Sequence, residues 1–89
     1  MLKETVDVLS ARPGVLVMRH PGRHYPGILV QGDTLKELAR LARSIMDTVL
    51  TDPHEAIDGA EYLTSQLEYL VSEYEQALTA HKIELPYVR

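Results

Sequence analysis

Arg19, His20, Arg23, His24 and Tyr25 crowd into the first part of one stretch, RHPGRHYPGILVQGDTL, from Arg19 to Leu35. Two guanidiniums and two imidazoles on a Pro-Gly loop suit an anion, a phosphate or an acidic partner. A helix start follows a few residues on, and helix N-termini attract anions. Asp33 already places a negative charge at that start. Gln31-Gly32-Asp33 also lacks the repeated glycines of a phosphate-binding loop.

Other chemistries fit less well. His20 and His24 are four apart, a ligand spacing on a helix, but Pro21 and Gly22 argue against a helix. No carboxylate lies between Asp7 and Asp33 to complete a metal set. No metal and no cofactor are expected. Lys36, Arg40 and Arg43 extend the basic character, yet the net charge is −4 and only Tyr25 lies among the basic residues as a stacking aromatic. Direct nucleic-acid binding is therefore not expected. Asp33, His20, His24, Ser44 and Thr34 are the candidates for acid, base or nucleophile, and none sits in a catalytic motif. The chain reads as a non-enzyme with no catalytic residues.

The elements that must hold this loop are legible as periodicities. Thr5–Leu9 alternates Val6 and Val8 with Thr5 and Asp7, which predicts a first strand. Arg12-Pro13-Gly14 is a turn. Val15–Met18 is apolar throughout, which predicts a central strand covered on both faces. Ile28–Val30 is a third short strand between Pro26-Gly27 and Gln31-Gly32. The links are too short for crossovers, so residues 1–32 form an antiparallel meander.

Helix 1 is expected over 34–50, with Thr34 as N-cap and Glu37 completing a capping box. Its apolar positions include Leu35, Leu38, Ala42, Ile45 and Val49, with Lys36, Arg40 and Arg43 as a basic stripe. Asp52 before Pro53, with Glu55 behind, starts helix 2, expected over 53–81. Ala56, Ala60, Leu63, Leu67, Leu70, Tyr74 and Ala77 form a coiled-coil-like seam, weakest at Gly59. Residues 82–89 are an extended tail. The fold class is α+β: a three-stranded antiparallel sheet, then a helical hairpin with a long second helix, in a single domain of 89 residues.

Length and charge suggest a partner. Helix 2 spans roughly 43 Å, against a diameter of about 30 Å for a compact domain of this size. It must break near Gly59 or overhang onto a second subunit, and a homodimer is expected. Residues 1–46 carry seven Lys/Arg and four Asp/Glu; residues 47–89 carry two and nine. Such asymmetry either marks interaction surfaces or lets the halves complement each other inside the fold or a dimer. Tyr62, Gln66, Tyr69 and Glu73, with Gln76, form a second face of helix 2, suited to an interface or to flanking the intramolecular core. No cysteine is present, so disulfides, thiolate metal sites and Cys nucleophiles are excluded. No apolar run of signal-peptide or membrane-spanning length is found, and a cytoplasmic protein without membrane contact is expected.

The pattern RxPGRxxPGxxxQGDxL is met by Arg19, Pro21, Gly22, Arg23, Pro26, Gly27, Gln31, Gly32, Asp33 and Leu35. It resembles that of a small bacterial family of unknown function, which implies no activity. More distantly, Pro26-Gly27 through Gln31-Gly32-Asp33-Thr34-Leu35 and Glu37 resembles the strand-turn-helix segment of HicB-type antitoxins. Those are small sheet-plus-helix proteins that cover a toxin nuclease and often dimerise. After residue 50 the likeness ends, since a long acidic helix replaces the strand and DNA-binding module. The reading is a non-catalytic protein-binding module, antitoxin- or immunity-like. The alternatives are a small-ligand or anion-binding protein using loop 19–25 and the N-terminus of helix 1, and a structural homodimeric subunit of a larger assembly.

Overall fold

The computed structural model describes residues 1–89. In order, the chain forms β1 (Asp7–Arg12), β2 (Val15–Arg19), β3 (Gly27–Val30), α1 (Gly32–Thr48) and α2 (Pro53–Ala80). The fold is α+β, as expected: a three-stranded antiparallel sheet in the order β1-β2-β3, followed by two helices. Two compact units make up the chain, Met1–Val30 with Val71–Arg89, and Gln31–Leu70. No helix is long and apolar enough to cross a membrane.

In the first unit a Pro13-Gly14 turn joins β1 to β2, with Arg12 opposite Val15. Gly14 has φ of 79°, a left-handed conformation that favours glycine. β1 differs from the predicted Thr5–Leu9 strand. It starts at Asp7, runs to Arg12, and its register shifts between Val8 and Ser10. The turn sets the pairing from its own end, and the extra residue at the bulge is Leu9. Leu9 packs against the core, while Val8 is exposed.

That core is small. Val17, Ala77 and Leu78 are buried, and Leu9, Tyr74, Ile83 and Leu85 pack around them. β2 is central, as expected, but is not covered on both faces. Val15 and Val17 are buried, whereas Leu16 and Met18 on the other face are only half-buried. The helix and tail of this unit pack against the Val17 side. β3 is an edge strand with Ile28 and Leu29 exposed. α2 closes in a Schellman motif: the Ile83 N–H donates to Leu78 O at 2.9 Å and the Lys82 N–H to Thr79 O at 3.1 Å. Lys82 takes the left-handed position, φ 57°, where glycine is usual. The tail is docked: Ile83 and Leu85 reach the core, and the Tyr87 hydroxyl donates to Glu75 at 2.9 Å.

In the second unit α1 begins two residues before the predicted start. Gln31 is the N-cap and makes no side-chain cap bond. Thr34 is therefore not the cap and no capping box forms. Asp33 Oδ1 accepts the Thr34 N–H at 2.8 Å, and Glu37 turns instead to Arg40, at 2.9 and 2.6 Å. α2 starts as the sequence indicated, with Asp52 Oδ1 accepting the Glu55 N–H at 3.1 Å and Pro53 in the first helical position. The helix continues through Gly59 without a break. Gly59 sits against Ile45: a Cβ there would lie 3.3 Å from Ile45 Cγ1. Ala56 is buried, but α1 has no fully buried residue.

Candidate functional site

The loop between β2 and β3 is built by its sequence. The Arg23 N–H donates to His20 O at 2.9 Å, closing a turn over Pro21-Gly22. The Gly22 N–H donates to His20 Nδ1 at 3.1 Å. The Nε2 proton of His20 is then directed to the Glu4 carboxylate, with which it pairs. Both ring nitrogens of His20 are engaged, so the imidazole acts as a strut of the loop.

Beneath this loop lies a hollow of about 380 Å³. Val6, Met18, Pro26 and Ile28 supply apolar lining, Gly27 supplies backbone, and His20, Arg23 and Tyr25 complete it. The far end of the loop is anchored by α2: the Tyr74 hydroxyl donates to the Pro26 carbonyl at 2.7 Å, and Pro26 itself is buried. Burial raises the Tyr74 phenol above its ordinary pKa, with a smaller contribution from Tyr25. No carboxylate lies within ion-pair distance of the Arg19 or Arg23 guanidinium.

The five predicted loop residues thus divide. His20, Arg23 and Tyr25 line the hollow. Arg19 ends β2, half-buried and opposite Asp7 in the ladder. His24 stands edge-on to Tyr25, with ring centroids 4.6 Å apart. Sequence reasoning missed the apolar walls. Val6 and Met18 read as strand residues, and the Tyr74 anchor lies 48 positions from Pro26.

The residues of the expected interface on α2 have different surroundings within their own units. Tyr62 and Gln66 line a second hollow of about 280 Å³ with Asp33, Thr34, Glu37, Leu38 and Leu41 of α1. Tyr69 is exposed. Glu73 is taken up inside the first unit, where Arg12 Nε lies 3.2 Å from its carboxylate and only 13% of its side chain is exposed. At the α1 start, Asp33 occupies the Thr34 amide that an anion would use. The hydrogen bond from Arg40 holds the exposed Glu37 carboxyl below its usual pKa.

The side chains of the loop hollow offer apolar contact, one guanidinium, one imidazole and one phenol. No group of three or more His, Asp or Glu side chains is placed to hold a metal ion.

The chain belongs to a family of unknown function, DUF6959, whose model matches residues 1–87. The likeness to a small family of unknown function is thus borne out over nearly the whole chain. No curated protein and no solved structure matches it.

Proposed function

We propose that this chain is a non-catalytic protein-binding module that receives an extended segment of its partner at the loop hollow and the β3 edge. The observation that carries the reading is the hollow itself: apolar lining open to solvent, joined by Arg23 with no carboxylate beside it. An unpaired guanidinium over apolar surface suits a segment with one acidic and one or two apolar side chains. β3 borders the hollow through Gly27 and Ile28 and pairs only with β2. A sheet edge of this kind accepts a further strand through main-chain hydrogen bonds. The opposite edge is less receptive. β1 carries a bulge, and the His81 Nε2–H donates to its Leu9 carbonyl at 2.9 Å.

An antitoxin- or immunity-like role is one form of this reading. The test is selection of displayed random peptides against the full chain, followed by amide chemical-shift mapping. Peptides that pair an acidic with an apolar residue, and that shift Gly27–Val30 and Arg23, support it. A selection that yields no such peptide, or shifts confined to other elements, overturns it. Inorganic phosphate and nucleotides serve as the competing arm. A rise in melting temperature with them, lost in Arg23→Ala, favours the anion-binding alternative.

A further inference from the structure

The hairpin of Gln31–Leu70 carries more apolar surface than it can bury. On α1, Leu38, Leu41 and Ile45 are half-buried. A second row, Leu35, Ala39, Ala42, Met46 and Val49, steps by four and three along the same helix and its end. Its members are open: Leu35 is 61% exposed, Met46 68% and Val49 46%. α2 has a matching row at Ile57, Ala60, Thr64 and Leu67, with Ile57 54% and Leu67 46% exposed. The hollow of Glu37, Tyr62 and Gln66 marks one side of the hairpin. Helical periodicity places both open rows together on the other side.

Rows spaced in this way on two sides of each helix are what a four-helix bundle uses, one row for each neighbour. Each helix here has a neighbour for one row only.

We propose that a second copy of the chain closes this face, with α1 of one protomer lying on α2 of its partner in a four-helix bundle. Charge in matching register singles out a second copy. The Ile45–Gly59 contact fixes the level of the two antiparallel helices. Nine residues before Ile45 is Lys36, and nine after Gly59 is Glu68; two before and two after are Arg43 and Glu61. Lys36 and Arg43 border the open row of α1, and Glu61 and Glu68 border that of α2. A two-fold axis parallel to the helices preserves these levels. Lys36 then faces the partner's Glu68 and Arg43 faces the partner's Glu61, each contact occurring twice. In the same register the levels of Ile57, Ala60, Thr64 and Leu67 fall between those of the α1 row, as knobs into holes require. Within the protomer Lys36, Glu61 and Glu68 have no ion pair, and Arg43 reaches only Asp47, at 3.9 Å.

The test is sedimentation velocity with light scattering on the full chain, whose protomer mass is 10.0 kDa. A species of twice that mass is expected. K36E/R43E and E61K/E68K should each weaken self-association about a hundredfold, because four attractions per dimer become repulsions. An equal mixture of the two variants should restore a heterodimer of wild-type strength. If either variant loses helicity alone, regain of helicity on mixing reads the same result. A monomer at about 100 µM, a dimer indifferent to both charge reversals, or a mixture that fails to recover overturns the proposal. A monomer would leave the face to an unrelated protein.

Discussion

The Tyr74 hydroxyl donates to the Pro26 carbonyl at 2.7 Å, tying α2 to the foot of the basic loop across 48 residues of sequence. The bond satisfies a carbonyl at a buried proline and fixes one wall of the hollow. Tyr74→Phe keeps the ring and removes the donor. It should cost about 1 kcal/mol, read as a lower urea midpoint at unchanged slope.

The same phenol sets an alkaline limit. Burial, then Tyr25, raises the Tyr74 pKa; for Tyr87 desolvation comes first, then its hydrogen bond to Glu75. The fold keeps these protons at a pH where the unfolded chain has lost them. Their stabilising effect is complete below the unfolded value near about 10 and is lost as pH rises through the higher folded values. The melting temperature should therefore fall in strongly alkaline buffer, and Tyr74→Phe should flatten that fall. Phenolate absorbance should show Tyr74 and Tyr87 titrating late.

At the end of α2, Lys82 holds a left-handed conformation with no compensating hydrogen bond from its side chain among those present. Lys82→Gly should stabilise by about 0.5–1 kcal/mol, with the Ile83–Leu78 bond of the Schellman motif retained. Thermal denaturation checks it. Gly14→Ala at φ 79° should do the reverse, costing about 1 kcal/mol.

Gly59 offers a finer balance. Alanine there gains about 1 kcal/mol of helix propensity, but its Cβ would meet Ile45 Cγ1 at 3.3 Å. The net change in Gly59→Ala should stay within about 0.5 kcal/mol, whereas Gly59→Val, with a bulkier branched side chain, should cost more than about 1 kcal/mol. Chemical denaturation of both variants separates the two contributions.

The three-and-four spacing places Leu67 in the seam of α2. In the protomer it is 46% exposed. Leu67→Asp should therefore have a small effect on the stability of the single chain, and in the proposed dimer it should weaken self-association at least about tenfold.

Local signals were the legible ones. Pro13-Gly14 marked a turn, Asp52-Pro53 marked a helix start, and the short links forced an antiparallel meander; all three are present. Competing local bonds were not. Thr34 looked like a cap until Asp33 took its amide and Arg40 took Glu37. The Leu9 bulge was invisible because alternation in Thr5–Leu9 fits a regular strand equally well. Contacts across the chain, such as Arg12 with Glu73 and His81 with Leu9, leave no trace in spacing. For the site, the basic residues were found because they cluster in sequence. The apolar walls beneath them were not, because folding brings Val6 and Met18 to the loop.

In the proposed function the loop hollow and the β3 edge seat another protein. The decisive measurement is cross-linking from a photo-reactive residue in place of Ile28, in the full chain expressed in its host. A cross-linked partner other than the chain itself is expected, with a yield that collapses when Arg23→Glu is added. Cross-links to the chain alone, or a yield untouched by Arg23→Glu, would contradict it.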